Sequence, residues 1–204
     1  EEALALWLAE KAPGTVPLCA IPGYQRQIRE AMPSLRPDLG NDLSALRREA
    51  IRVLLERAGE DPGLAEPAFE VFFEARQKVI FYEDALSALD FLKSRYPMVA
   101  LSNGNADIQK VGLNAYFVAA FNPINLGVGK PDPKMFHAGA QALGVLPEAI
   151  LHIGDDPHLD VVAAQRAGLQ AVWLNREEKL WAHEVHPAPF TVSSLKVLCD
   201  AWPD

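Results

Sequence analysis

Met98-Val99-Ala100-Leu101-Ser102-Asn103-Gly104-Asn105 is the stretch on which the fold reading turns. Four consecutive apolar residues, followed at once by a hydroxyl, an amide and a glycine, read as a short strand covered on both faces that ends in a polar turn. Two later runs have the same form: Ile150-Leu151-His152-Ile153 and Ala171-Val172-Trp173-Leu174. Before the first run, Glu83 and Asp84 open a helix with acids in its first turn, and Lys93 and Arg95 close it, in keeping with the helix dipole. Leu86, Leu89 and Leu92 form its apolar stripe. Between the strands, Asp132-Pro133 reads as a cap followed by proline at the first helical position, with Gly144 near the far end. Another helix runs from Leu159 to Ala167 and stops at Gly168. Strand and helix in alternation imply right-handed parallel crossovers, and so an α/β fold with a doubly wound parallel sheet over residues 81–204.

Residues 1–80 have a different grammar. Leu4, Trp7 and Leu8 recur at helical spacing, as do Leu46, Ile51, Val53 and Leu54, and then Phe69, Phe72 and Phe73. Pro13-Gly14, Pro22-Gly23, Pro33, Pro37 and Pro62-Gly63 punctuate them. This half reads as a small bundle of helices, with the aromatic cluster near residue 70 as packing core.

Composition narrows the class. The 204 residues are 50% hydrophobic and 23% charged, with a formal net charge of −8. An acidic chain repels nucleic-acid backbones and anionic membranes, and no apolar run approaches the roughly 20 residues of a membrane span. Arg47, Arg48, Arg52 and Arg57 are interleaved with Glu49 and Glu56, the pattern of a solvated helix face. Cys19 and Cys199 are too few for a disulfide framework and suit a reducing cytoplasm. Nothing in the sequence specifies an oligomeric state.

Function is sought at the carboxyl ends of the strands, where open α/β sheets bind ligands. Ser102, Asn103 and Gly104 offer donors to an anion, although Asn-Gly is also an ordinary turn. Gly127-Val128-Gly129-Lys130-Pro131-Asp132-Pro133 holds Lys130 at the end of a stiffened loop, where a lysine can act as a fixed charge for phosphate. Ile153-Gly154-Asp155-Asp156-Pro157-His158-Leu159-Asp160 places two carboxylates at a buried strand end and a third at the next helix. Clustered carboxylates repel one another and resist desolvation, and a bound cation relieves both costs. All-oxygen ligation beside phosphate suits Mg²⁺. His152 is expected to be packed against one sheet face, His158 exposed, and Trp173 and Trp181 packed. His183-Glu184-Val185-His186 is too short for a zinc-protease pattern.

These three stretches resemble motifs II, III and IV of the haloacid dehalogenase-like hydrolases: Leu101 to Asn105, then Gly129 to Pro133 with Phe136, then Ile153 to Asp160 with Ala163-Ala164 and Ala167-Gly168. The likeness covers residues 80 to about 195, and residues 1–80 are similar to the family's helical cap. Ser-Asn-Gly-Asn and His-Ile-Gly-Asp-Asp are similar to the branch that dephosphorylates flavin mononucleotide or the phosphorylated ribityl-aminouracil precursor of riboflavin. The resemblance implies a magnesium-dependent phosphatase for a small phosphorylated metabolite, working through an aspartyl-phosphate and closed over by its cap. Ser102 would hydrogen-bond the phosphoryl group with Asn103 and Gly104 beside it, and Lys130 would neutralise it. Asp155 would be the chief metal ligand, Asp160 would orient the metal's water, and Asp156 would be an additional contact. Dehalogenases of the family use no metal and carry neutral residues in place of the acidic pair, so Gly154-Asp155-Asp156 favours the phosphatase. A catalytically inactive binder of phosphate ligands or a partner protein is the alternative from another class.

One part of the family pattern is not found. Its motif I, a strand ending in Asp-x-Asp that supplies nucleophile and general acid, has no counterpart before residue 80. Asp42 and Asp61 have neither strand context nor spacing. The expectation is a further strand and turn upstream of Glu1, seated centrally between the strands that end at Leu101 and Ile153.

Overall fold

The computed structural model describes residues 1–182 and 189–202. His183 and His186 therefore lie outside the described residues. Two compact units emerge: Glu1–Val79 together with Gly104–Val111, and Ile80–Asn103 together with Gly112–Asp204. The first is the helical half plus one excursion, residues 104–111, that a division at residue 80 does not contain.

The first unit holds α1 (Glu2–Lys11), α2 (Val16–Cys19), α3 (Tyr24–Leu35), α4 (Leu43–Arg57) and α5 (Ala65–Gln77). Its core is the set picked out by helical spacing: Leu4, Leu8, Leu46, Ile51, Leu54 and Phe69 are all buried, with Trp7, Val53, Phe72 and Phe73 packed against them. Phe69 stacks on Phe73 at a centroid distance of 5.6 Å. Asp42 and Asp61 are cap residues. Asp42 accepts from the backbone N–H of Ser44 and Ala45, both at 2.9 Å, and Asp61 from that of Gly63 at 2.8 Å. Their carboxylates answer the orphan donors of helix starts, which is why they have no strand around them.

One expectation fails here. Arg47 is not on a solvated face: its side chain is only 9% exposed, its guanidinium lies 4.4 Å from the Phe72 ring centre, and Glu1 accepts from it at 2.6 Å. A planar, weakly hydrated cation can cover an aromatic ring, which charge alternation along a helix does not reveal. Arg48 likewise lies over Phe69, at 3.9 Å, while Arg52 stays exposed.

The second unit is the α/β core. It contains α6 (Ala85–Lys93), β1 (Val99–Leu101), β2 (Ala119–Phe121), α7 (Pro123–Leu126), α8 (Pro133–Leu143), β3 (Leu151–Gly154), α9 (Ala163–Arg166), β4 (Gln170–Leu174), β5 (Phe190–Val192) and α10 (Leu195–Asp200). A π-helical stretch, Pro157–Val162, leads into α9. Asp132 caps α8 by accepting from the Lys134 N–H at 2.9 Å, and Gly144 ends it at φ +67°, a left-handed conformation that glycine adopts without penalty. All strand pairs are parallel. Neighbouring residues of β4 enter different cores: Ala171 packs with α8 and α9, and Val172 with Val192 and Leu198 of α10. The sheet is therefore covered on both faces, which is why its strands read as continuous apolar runs.

The sheet is split. β1 pairs only with β2, and β3, β4 and β5 form a separate ladder, so the facing edges of β1 and β3 have no strand partner among the described residues. Between them lies a cavity of about 1120 Å³ that both edges line. β2 escapes the sequence reading because Ala119-Ala120-Phe121 is too short and weakly apolar to stand out.

Asp84 ties the helices behind the sheet together. It accepts from Arg176 Nη2 at 2.8 and 3.0 Å and from the Leu195 N–H at 2.8 Å, joining the starts of α6 and α10. The hydrogen bond from Arg176 is the chief reason its carboxyl is held below the usual range. Asp84→Ala strands these donors at a cost of about 1–3 kcal/mol. The expected fall in melting temperature is roughly 3–10 °C, measured by circular dichroism; an unchanged midpoint would show that the tie contributes nothing.

Candidate active site

The site is built where β1 and β3 end. Lys130 is gripped at both its main chain and its ammonium. The Asn103 side-chain amide donates to the Lys130 carbonyl and accepts from the Lys130 N–H, each at 2.7 Å. Gly129 permits that approach, since a Cβ there would sit 2.8 Å from Asn103 Oδ1. At the other end, Lys130 Nζ donates to Asp160 Oδ1 at 2.5 Å. Asn103, expected beside the phosphoryl group, thus spends its amide on fixing the lysine.

Asp160 is the hub. Only 4% exposed, it receives Lys130 on Oδ1, His152 Nε2 on the same oxygen at 3.1 Å, and the Asp156 N–H on Oδ2 at 3.0 Å. Burial alone would push its carboxyl up. The His152 hydrogen bond, the Lys130 charge and hydrogen bond, and the Asp156 N–H outweigh it and hold the group well below the ordinary carboxylate range. Gly154 makes room: a Cβ there would lie 2.3 Å from Asp160 Cγ.

Asp156 does different work. Its Oδ1 accepts from the His158 and Leu159 N–H groups at 2.8 and 2.7 Å, capping the π-helical stretch. Asp155 is exposed, and its carboxylate has no hydrogen bond or ion pair among the described residues, while its carbonyl accepts from Trp173 Nε1 at 3.0 Å. Among the described residues no three His, Cys, Asp or Glu side chains group to hold a metal ion. Of the expected metal set of Asp155, Asp156 and Asp160, two members carry protein contacts. Asp156 is spent on backbone donors and Asp160 on a lysine and a histidine, leaving Asp155 as the free acid.

Ser102, Lys130, Asp155 and Asp160 line the same cavity. Ser102 follows β1 with its N–H donating to the Phe121 carbonyl at 3.0 Å. Gly104 belongs to the first unit. Sequence reasoning missed His152, Gly154 and Trp173 as site residues. The packing expected of His152 is present as well, its ring edge-on to Phe136 at 5.1 Å. Trp173 is buried and meets Trp181 at 5.4 Å.

The cavity's charges balance almost to closure. Lys130 faces Asp160, Arg176 faces Asp84 and Lys179 faces Glu177. Among the described residues Asp155 is the lining acid without an ion pair, with the Lys179 charge acting on it from a distance.

Comparison with known proteins fits this geometry. Residues 12–168 match the family model described as haloacid dehalogenase-like hydrolase. A phosphoserine phosphatase of Thermus thermophilus is 35% identical over 136 residues, 64% of this chain and 55% of that protein. The 5-amino-6-(5-phospho-D-ribitylamino)uracil phosphatase YigB of Escherichia coli is 31% identical over 74% of this chain and 66% of its own length. The chain thus spans between about half and two-thirds of these relatives. Among solved structures, a 2-haloacid dehalogenase from Pseudomonas syringae pv. Tomato matches with TM-score 0.86 and 34% identity, over 98% of this chain and 87% of that one.

Two outcomes test the hub. Gly154→Ala forces a buried carboxylate to move, with overpacking of about 1–3 kcal/mol and a melting temperature lowered by roughly 3–10 °C; a neutral substitution would contradict the close approach. Because folding depresses the Asp160 pKa, its contribution is present above the unfolded carboxylate value, about pH 4, and fades as pH falls through the folded one. The stability difference between wild type and Asp160→Asn, from urea melts, should be constant from pH 7 to about pH 5 and shrink below about pH 4.

Proposed function

Because the chain belongs to the haloacid dehalogenase-like hydrolases, we propose that it hydrolyses a phosphate monoester of a small metabolite. One observation supports this reading: among the described residues each lining cation is ion-paired, and Asp155 is an acid without an ion pair in the same cavity as Lys130. A phosphate dianion brought beside that carboxylate would be repelled by it unless a cation accompanied it. Magnesium commonly binds through one or two carboxylates, water and a substrate phosphate, so a lone free Asp155 fits as one of its ligands. Such an ion would neutralise phosphate charge.

The chain's own groups take the remaining roles. Lys130, fixed at both ends, offers a placed positive charge to the phosphoryl oxygens, and Ser102 stands at the end of β1 as a hydroxyl donor. The nucleophilic carboxylate is proposed to come from a parallel strand seated between β1 and β3, upstream of Glu1. The edges of those strands, without a strand partner among the described residues, and the cavity between them support that placement. Phosphoserine, ribityl-aminouracil phosphate and flavin mononucleotide are the substrates to try, given the two phosphatase relatives and the local wording of the motifs. A cytoplasmic enzyme suits the free Cys19 and Cys199; no helix among the described residues is long and apolar enough to cross a membrane.

The Pseudomonas structure favours a second reading, dehalogenation of 2-haloacids. Its substrates are small carboxylates, and the two readings part on metal. The test is phosphate release from p-nitrophenyl phosphate and the three esters, and halide release from 2-chloropropionate, by full-length protein with Mg²⁺ or EDTA. The phosphatase predicts ester turnover that EDTA abolishes and that Asp155→Asn lowers by about 100-fold or more. Halide release unaffected by EDTA would establish the dehalogenase instead.

A further inference from the structure

We infer that His152 is a positioning residue for Lys130, acting through Asp160, and that the proposed phosphoryl chemistry depends on it. This rests on the reading above. Asp160 is buried and ionised, so its oxygens only accept, and the ring nitrogen 3.1 Å away must carry a hydrogen. That hydrogen goes to Oδ1, the same oxygen that receives the Lys130 ammonium. With the Asp156 N–H on Oδ2, three donors from three points fix the carboxylate's rotation about its χ2 axis, which is otherwise soft. Without His152, Oδ1 would be held by the lysine alone, a flexible partner that the carboxylate is itself meant to orient.

The imidazole is well placed to be the rigid member of the pair. Its main chain lies in β3, in register with Ala171 of β4. Its ring stands edge-on to Phe136, whose side chain is fully buried. Phe136 belongs to α8, the helix that starts three residues after Lys130. His152 thus joins the strand beneath the site to the element that delivers the lysine. A displacement of about 1 Å at a charge that must meet a phosphoryl group can cost on the order of 100-fold, and loss of an outer hydrogen bond typically costs about 10-fold or more.

The experiment uses full-length protein with His152→Leu, which keeps the bulk against Phe136 but removes the donor, and His152→Gln, whose amide nitrogen reaches toward the same place. Two quantities are read on folded protein, with the folded fraction set by circular dichroism. One is kcat on p-nitrophenyl phosphate. The other is the acetylation rate of Lys130 with an N-hydroxysuccinimide ester, followed by mass spectrometry, with exposed Lys134 and Lys196 as internal standards.

His152→Leu should lower kcat about tenfold and raise Lys130 acetylation several-fold, while His152→Gln stays within about threefold of wild type in both. Unchanged acetylation in His152→Leu, with activity falling only in step with folded protein, would make His152 plain packing and overturn the inference. Should His152→Leu fail to fold, His152→Asn, whose shorter amide falls away from Asp160, takes its place against His152→Gln under the same criteria. Freed Lys130 in a protein whose wild type turns over no ester would uphold the positioning role and defeat the phosphatase reading.

Discussion

A carboxylate taken out of water must find partners, and the active-site end of this fold is arranged around one that does. Asp160 is buried at the end of β3, where an unpaired charge would cost several kcal/mol. Its partners come from three places: a lysine from the loop before α8, a histidine from β3 and a backbone N–H from the turn that follows β3. Each partner in turn demands something of the sequence. The lysine needs Gly129 so that Asn103 can clamp its main chain, the histidine needs an edge to lean on in Phe136, and the strand end needs glycine at 154. The residue types of three separate loops follow from satisfying one charge.

The same accounting explains what the site lacks. With Asp160 paired and Asp156 serving as a cap, Asp155 is the member of the acidic turn whose carboxylate has no hydrogen bond or ion pair among the described residues. The split sheet belongs to this picture. Among the described residues two facing strand edges have no ladder partner, at the centre of a parallel sheet, the place where such sheets are normally most buried.

The helical unit follows the same rule by another route. Arg47 lies flat against Phe72 and meets the Glu1 carboxylate, so a residue type that usually marks the surface becomes part of the packing. Burial works against its charge and pulls its pKa down. Acids elsewhere in that unit, Asp42 and Asp61, are consumed at helix starts.

Much was legible in the sequence because it rests on local periodicity. The apolar runs ending at Leu101, Ile153 and Leu174, the cap at Asp132-Pro133 and the stops at Gly144 and Gly168 are set by neighbours along the chain. They specify a parallel α/β sheet preceded by helices. The order Ser102, Lys130, acidic turn could be read for the same reason, Ser102 and the acidic turn each following a strand and Lys130 preceding a capped helix. Partnership could not. Whether Asp160 faces a metal or Lys130, whether Asn103 faces a ligand or a carbonyl, and whether Arg47 faces water or Phe72 depend on groups 27 to 46 residues apart in the chain or on another helix. Sequence determines which side chains carry charge. Only the tertiary structure decides which charges are already answered, because the cost of an unanswered one arises on burial, when distant segments are brought together.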